Sequence, residues 1–334
     1  MYHKRFTGTH YEAGYKFGKK LSEYGVSLGY CPTYEIDESR KSFAEKCKEQ
    51  YKVYYPEILD EIKGISDGQN LDSSIIETIL LTMYCMNFDN KCTCMAYKNG
   101  EDIVFARNSD FLVNIEKLYL NCIYKLDNSF AFNGNTTAYT QMEDGINEYG
   151  LAAGLTFVFP KLSKPGINAG MIIRYILEKC KTTKEALEFI KNVPKASSQT
   201  ITIADASGDL AVAECNYEKT VIIRPEDKNF VAAANCFVSE EMKKYNETKI
   251  DNWRAEERYN TAYNALNEHS NELSVKLMRD ILSGKYGFMC QYDRKKNADT
   301  VWSVIYDIKN KKIFRAEGNP SRKKYKEDIR MKFI

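Results

Sequence analysis

Cys92 has the setting in this chain that most favours covalent chemistry. It lies in Lys91-Cys92-Thr93-Cys94, where helical periodicity changes to strand periodicity. A thiol nucleophile needs a base, and an α-amine titrates close enough to neutrality to serve as one. That base exists only if the chain cuts itself before Cys92. The sequence therefore suggests that Cys92 is a nucleophile whose own backbone nitrogen becomes its base.

Charged residues follow Cys92 after a short turn at 98–101, which predicts a hairpin. The second strand would return Arg107 and Asp110 toward the cysteine. Arg107 would lower the pKa of the thiol or hold it in place, and Asp110 would orient the new amine. The competing interpretation of 107–110 is a solvated turn, although an apolar run at 104–106 leads directly into it.

Acylation of a thiol also needs a site that stabilises an oxyanion. Two stretches are candidates. The segment 144–151 is polar and bounded by glycines, so it would expose a backbone N–H. The segment 232–237 would point the side chain of Asn235 into a cleft. Either pattern by itself is also typical of an ordinary turn.

The composition favours a small-molecule partner. The 334 residues include 48 basic and 46 acidic side chains, a formal net charge of +2, so no strong field attracts nucleic acid or an anionic membrane. Only three histidines are present, which excludes most histidine-based zinc sites, and we expect neither a metal nor a cofactor. The ten cysteines are scattered without paired spacing, so most should be reduced thiols in the core.

The N-terminus is polar and no later segment reaches 18 uninterrupted apolar residues, so we expect a cytoplasmic protein. Helical patterns precede Cys92 and strand patterns follow it, with two further helical blocks along the chain. This order predicts an α+β fold with antiparallel sheets. The helices are expected to open within 8–18 and to cover 40–65, 75–87, 170–180, 183–192, 252–267 and 272–282.

Several motifs occur in an order and spacing that cover almost the whole chain. They are Gly8-x-x-Tyr11-x-x-Gly14-x-x-x-Gly18, Cys92-Thr93-Cys94, Ala106-Arg107-Asn108-Ser109-Asp110, Asp144-Gly145-x-Asn147-Glu148-x-Gly150-Leu151, Ala204-Asp205-Ala206-Ser207-Gly208 with Glu214, Ala234-Asn235-Cys236-Phe237 and Arg258-Tyr259. Together they resemble the N-terminal-nucleophile hydrolases of the choloylglycine hydrolase and penicillin V acylase type. The resemblance is greatest to the branch that includes acyl-coenzyme A:6-aminopenicillanic acid acyltransferase.

The resemblance implies a single domain over 1–334, built as a four-layer αββα sandwich of antiparallel sheets. Residues 1–91 would be a propeptide or small subunit that stays associated, and 92–334 the large subunit. Cys92 would be the nucleophile, and the Asn235 side chain and the backbone N–H of Asn147 would form the oxyanion hole. The site residues that the resemblance implies are Cys92, Arg107, Asp110, Asn147, Asn235 and Arg258, the last as a charged support.

Two positions depart from the family pattern. Lys91 stands where glycine or another small residue is common, which bears on whether self-cleavage occurs. Cys94 stands where serine is usual, and strand alternation puts it on the same face as Cys92. Cys94 would either be oxidised together with Cys92 or simply pack in the core.

These observations favour a cysteine amidase that hydrolyses a linear N-acyl amide through a thioester. An acyltransferase with a thiol or amine acceptor, and an uncleaved, inactive binding protein, remain alternatives. A cysteine–histidine peptidase using His10 is a further rival. Tyr139, Phe157 and Phe159 could line an acyl pocket, although aromatic residues at strand spacing are typically core residues. A homo-oligomer is left open.

Overall fold

Two β-sheets lie face to face at the centre of the computed structural model, which describes residues 1–29, 36–85, 91–100 and 102–334. Their strands are β1 (Tyr2–Gly8), β2 (Lys91–Asn99), β3 (Asp102–Leu112), β4 (Leu120–Leu126), β5 (Phe132–Thr136), β6 (Asp144–Asn147), β7 (Ala152–Val158), β8 (Ser198–Ala204), β9 (Leu210–Cys215), β10 (Thr220–Ile223), β11 (Phe230–Ala233), β12 (Ala298–Asp307), β13 (Lys312–Ala316) and β14 (Lys326–Glu327). The eight-stranded sheet has the order β1-β4-β5-β6-β7-β8-β9-β10, and the six-stranded sheet has the order β11-β2-β3-β12-β13-β14. Neighbouring strands are antiparallel except for the pair β1 and β4.

Helices cover the outer faces of both sheets. They are α1 (His10–Glu23), α2 (Glu38–Tyr54), α3 (Glu57–Gln69), α4 (Ser73–Thr82), α5 (Ala169–Lys179), α6 (Thr183–Asn192), α7 (Glu240–Lys243), α8 (Ala255–Glu268) and α9 (Val275–Leu282). The first begins at a capping box, in which Thr9 and Glu12 each accept from a backbone N–H of the other.

The hydrophobic core divides into layers that match these elements. Leu155 and Ile201, on the outer face of the eight-stranded sheet, pack in one cluster with α1 to α6. The inner face of that sheet, including Ala152, packs against Phe105 of the six-stranded sheet. Residues on the other face of the six-stranded sheet, such as Met95, pack against α8 and α9. The order helix, sheet, sheet, helix confirms the predicted αββα sandwich.

Glycines let α1 and α3 approach closely. A Cβ on Gly14 would overlap the backbone oxygen of Glu61, and one on Gly18 would overlap the backbone of α3 one turn later. Gly64 and Gly68 on α3 face the backbone of α1 in the same way. Gly14 and Gly18 of the N-terminal motif therefore serve the packing of these two helices.

Four predicted elements differ in the structure. The helix predicted over 40–65 is two helices, α2 and α3, because Pro56 stands between them and cannot continue a helix. The segment 138–142 has a strand-like pattern of apolar residues, which predicts a strand, but it is irregular in the structure. The polar turn expected from 144 onward is instead the strand β6 as far as Asn147. The helix predicted over 75–87 ends at Thr82, and its last two residues lie outside the described residues.

The cysteines behave as predicted in the part of the chain that the structure describes. Nine of them are buried and none forms a disulfide. They contribute to the core as small apolar side chains.

Candidate active site

The hairpin formed by β2 and β3 carries the nucleophile candidate and its charged neighbours. Cys92 lies opposite Ser109. On the same face of the hairpin, two residues further along β2, Cys94 lies opposite Arg107. On the other face, Lys91 lies opposite Asp110. The strand β3 continues to Leu112, so Arg107 and Asp110 lie inside a buried strand and not in a solvated turn.

The thiol of Cys92 is buried between the two sheets and contacts Arg107. The guanidinium Nη2 of Arg107 donates to Cys92 Sγ over 2.7 Å and to Glu143 Oε2 over 3.1 Å. Its Nη1 donates to Asp144 Oδ2 over 2.8 Å, and its Nε donates to Leu155 O over 3.2 Å. Arg107 thus joins the sulfur to two carboxylates of the eight-stranded sheet.

The charges around the sulfur act in opposite directions. Burial raises the pKa of the Cys92 thiol well above its ordinary value, because a thiolate loses hydration in the interior. The Arg107 guanidinium lowers this pKa, whereas the Glu143 carboxylate raises it. Burial has the largest effect, so the thiol of the intact chain is protonated at neutral pH and needs a base to react.

The backbone of Cys92 is held from the side of α8. Its N–H donates to Asn235 Oδ1 over 2.7 Å. Its carbonyl oxygen accepts from Arg258 Nη1 over 2.6 Å, and Arg258 Nη2 also donates to Asn235 Oδ1 over 2.9 Å. Asn235 follows β11, which pairs with β2, and Asn235 Nδ2 donates to Phe157 O over 2.6 Å. Segments far apart in sequence therefore meet at one residue.

Asp110 lies on the same side of the hairpin as Arg258. Thr300 Oγ1 and Tyr292 OH donate to its two carboxylate oxygens over 2.5 and 2.9 Å, and Arg258 Nη1 lies 3.7 Å from Oδ2. Burial raises the pKa of Asp110 to about 6, although Arg258 and the two hydroxyls oppose this shift. This carboxyl therefore changes charge close to neutral pH.

Asn147 lies elsewhere, and its predicted part in the oxyanion hole needs correction. Its backbone N–H donates to Leu151 O over 3.0 Å, because the chain there forms a β6 to β7 hairpin. Its side chain donates to Leu177 O and Cys180 O at the end of α5. Both groups serve the local structure, so Asn147 is not a member of this site.

Glu143 and Asp144 are the residues that sequence reasoning missed. Glu143 accepts from Arg107 and from Ser109 Oγ, and its other oxygen accepts from the backbone N–H and hydroxyl of Thr137. Two adjacent carboxylates directly before a glycine read as a polar turn. The signal that could have found them is the deeply apolar strand at 152–158, whose hairpin partner must also be buried.

The two departures from the family pattern are both buried. Lys91 has a side chain only 3% exposed, with Nζ 5.9 Å from the ring centre of Trp253. The Cys94 thiol points to Leu155 O over 3.8 Å, and burial raises its pKa to about 12. The Cys94 thiol therefore resembles a packed core group in its surroundings.

Two other candidates from the sequence, Phe157 and His10, lie in different parts of the fold. Phe157 reaches Asn235 through its carbonyl, and its ring lies 6.2 Å from that of Tyr84. His10 lies on the outer side of the eight-stranded sheet, where Nε2 is 2.9 Å from Glu178. Cys92 lies on the inner side, so the geometry does not form a cysteine–histidine pair.

Within the described ranges, no group of three or more His, Cys, Asp or Glu is arranged to hold a metal ion. None of the helices in those ranges is long and apolar enough to cross a bilayer.

Comparison with protein families matches residues 95–322 to acyl-coenzyme A:6-aminopenicillanic acid acyl-transferase. The match covers more than half of the chain. This protein belongs to that family. The matched region begins three residues after Cys92 and includes Arg107, Asp110, Asn235 and Arg258. The matching model describes a family of acyl-transferases.

The solved structures to which this chain is similar are more distant. One is an N-acylethanolamine-hydrolyzing acid amidase ortholog from Caenorhabditis elegans, at 18% identity over 65% of this chain and 93% of that chain, with a TM-score of 0.48. Penicillin V acylase from Agrobacterium tumefaciens is 19% identical over 68% of this chain and 82% of that one, with a TM-score of 0.45. A variant of conjugated bile acid hydrolase from Clostridium perfringens is 13% identical over 73% and 98%, with a TM-score of 0.49. No curated protein sequence matches this chain significantly.

Proposed function

We propose that this family member is a self-processing cysteine amidase, which hydrolyses the C–N bond of a linear N-acyl amide through a thioester on Cys92. The observation that supports this most directly is that the sulfur and the backbone nitrogen of Cys92 are each held by a different side chain. Arg107 contacts the sulfur of Cys92, while Asn235 accepts from its backbone nitrogen. Those are the two atoms that act when a cysteine is both nucleophile and base.

The proposed self-cleavage precedes activity. The sulfur of Cys92 attacks the carbonyl carbon of Lys91, the bond to the Cys92 nitrogen breaks, and that nitrogen receives the thiol proton. Water then hydrolyses the resulting thioester and leaves a carboxylate on Lys91. The products are a small subunit, 1–91, and a large subunit, 92–334, whose first residue carries a free thiol and a free α-amine.

Turnover of a substrate follows the same bond changes. The α-amine takes the thiol proton as the sulfur attacks the acyl carbon, and it returns that proton to the leaving amine. Water, deprotonated by the same amine, then hydrolyses the acyl thioester. A thiol or amine acceptor in place of water gives acyl transfer, and the description of the matching family favours this as the second candidate.

The proposed roles of the surrounding residues follow from their contacts. The side-chain amide of Asn235 supplies an oxyanion donor. Arg107 orients the sulfur, and Arg258 fixes Asn235 and the backbone of Cys92. Asp110, next to Arg258, supports the new α-amine. Glu143 holds Nη2 of Arg107, the nitrogen that also contacts the sulfur.

Mass spectrometry of the purified full chain tests self-cleavage. Wild-type protein should yield two fragments that meet between residues 91 and 92, whereas Cys92→Ala should remain one chain and lack amidase activity. Cys94→Ala is the matched control, because it removes a buried thiol two residues away and should still be cleaved. Wild-type protein that is intact at this bond yet fully active would contradict the proposal.

A panel of N-acyl amides tests the reaction class. It should include penicillins, bile-acid conjugates and acyl amino acids, each assayed for amine release with and without an added thiol or amine acceptor. Amine release into water supports the amidase. Acyl product that forms only with the acceptor supports the acyltransferase.

A further inference from the structure

We propose that Asp144 is a positioning residue that sets the charge balance of Arg107 and, through it, the reactivity of the Cys92 thiol. The inference rests on the proposed function only in assigning Cys92 as the reacting thiol. Asp144 does not contact the sulfur in the described structure. It acts on the guanidinium that does.

The carboxylate of Asp144 is fully buried and accepts four hydrogen bonds. Oδ2 accepts from Arg107 Nη1 over 2.8 Å and from Trp302 Nε1 over 3.0 Å. Oδ1 accepts from Tyr306 OH over 2.6 Å and from Asn135 Nδ2 over 2.5 Å. All four donors are side chains, and they come from the three strands β3, β5 and β12. Such a set fixes both the position and the orientation of the carboxylate.

The contacts also allow a substitution that removes the charge of Asp144 and keeps the shape of its side chain. An asparagine at this position could turn its oxygen toward Arg107 and Trp302 and its NH₂ group toward the Tyr306 hydroxyl, which can accept. Only the hydrogen bond from Asn135 Nδ2 would be lost. Arg107 would keep its bonds to Glu143 and to Leu155 O. The substitution Asp144→Asn therefore removes a charge while most of the geometry is retained.

The charge count predicts the direction of the effect. Arg107 is a single cation that contacts two carboxylates, Glu143 and Asp144, as well as the sulfur of Cys92. Each carboxylate offsets part of the positive charge that would favour a thiolate. Without the charge of Asp144, more of the guanidinium charge acts on Cys92. The thiolate should then form at lower pH.

The donors to Asp144 predict an effect of the opposite sign. Tyr306→Phe removes one hydrogen bond from the carboxylate but leaves its charge. The negative charge of Asp144 is then less dispersed and offsets Arg107 more strongly, so the thiolate should form at higher pH. A role confined to stability gives no reason for the two variants to differ in sign.

The test measures alkylation of Cys92 by iodoacetamide as a function of pH. The protein is used after cleavage between residues 91 and 92, with both fragments present. The peptide that contains Cys92 is quantified by mass spectrometry. We expect the profile of Asp144→Asn to shift to lower pH, with about a tenfold faster reaction at neutral pH, as one pKa unit gives. We expect Tyr306→Phe to shift in the other direction. Glu178→Gln is the matched control, because Glu178 is an equally buried carboxylate bonded to Arg174, and it should leave the profile unchanged.

Several outcomes decide the proposal. Folded Asp144→Asn protein with the wild-type profile would overturn it, as would shifts of the same sign in Asp144→Asn and Tyr306→Phe. If Asp144→Asn does not fold, the shift in Tyr306→Phe decides alone, and no shift there counts against the proposal. Alkylation does not require turnover, so a shifted profile in protein that hydrolyses no N-acyl amide would support the role of Asp144 while contradicting the proposed amidase.

Discussion

The charge state of Asp110 depends strongly on its surroundings. The carboxyl is completely buried beside Arg258, yet burial outweighs that cation and raises its pKa to about 6. A raised pKa means that the folded protein holds this proton more tightly than the unfolded chain does. The stabilising contribution of Asp110 is therefore complete below its ordinary pKa, near 3.8, and is lost as the pH rises through 6.

We predict that Asp110→Asn changes the pH dependence of stability in a defined direction. Asparagine cannot ionise, so the variant escapes the cost of burying a carboxylate at neutral pH. The difference in stability between the variant and wild type should therefore shift in favour of the variant by about 2 kcal/mol from pH 4 to pH 7. Urea unfolding of both proteins at the two pH values measures this difference. A relative stability that is independent of pH would show that Asp110 titrates normally.

At the scale of elements, strand periodicity after Cys92 and the hairpin turn were sufficient to predict that Arg107 and Asp110 return to the cysteine. The structure agrees because β2 and β3 pair in a continuous register from Lys91 to Asn99. The prediction that the Asn147 N–H belongs to the oxyanion hole was not supported, for the same reason that Glu143 was missed. A polar, glycine-containing segment reads as a turn when only local residues are considered, and here the surrounding sheet makes it a buried strand.

The packing of α1 on α3 gives a prediction for the helical layer. Gly14→Ala should lower the free energy of unfolding by about 1–3 kcal/mol, because the new Cβ overlaps the backbone of Glu61 and the helices must separate. Lys16→Ala, on the exposed face of the same helix, is the control and should be within about 0.5 kcal/mol of wild type. Thermal or chemical denaturation measures both. A neutral Gly14→Ala variant would indicate that the two helices can separate at little cost.

At the scale of the whole molecule, a buried ionic cluster joins the two proposed subunits. Arg174, in the large subunit, donates to Glu61 Oε2 over 2.8 Å and to Glu178 Oε1 over 2.6 Å. Glu178 also contacts His10 and accepts from Tyr55 OH over 2.6 Å. The cluster lies within the large core that includes α1 to α4, and cutting the chain at residue 91 removes none of these contacts.

We therefore predict that the fragments 1–91 and 92–334 remain associated after cleavage and co-elute in size-exclusion chromatography without denaturant. Arg174→Ala should weaken this association by about 3–5 kcal/mol, because it leaves two buried carboxylates without their cation. Arg224→Ala removes an exposed partner of Asp209 and should change little. Wild-type fragments that separate in native buffer would refute the prediction.

The α+β architecture could be predicted from the sequence because alternating and helical patterns of apolar residues occur in separate blocks. The layers follow once each apolar face must be covered. The boundary at Pro56 and the cluster around Arg174 were not predicted. The first was obscured by apolar residues that continue the helical spacing across the proline, and the second depends on contacts between residues more than a hundred positions apart.

The hydrogen bond from the Cys92 nitrogen to Asn235 has a consequence for how active molecules can be counted. In the proposed mechanism this nitrogen is immobilised while it is still an amide, so the entropy of placing the base is lost once, during folding, and not at each turnover. Activation is then a single, irreversible event in the history of each molecule. The number of newly exposed cysteine N-termini in a sample should equal its number of working catalytic centres, whatever substrate is used to assay them.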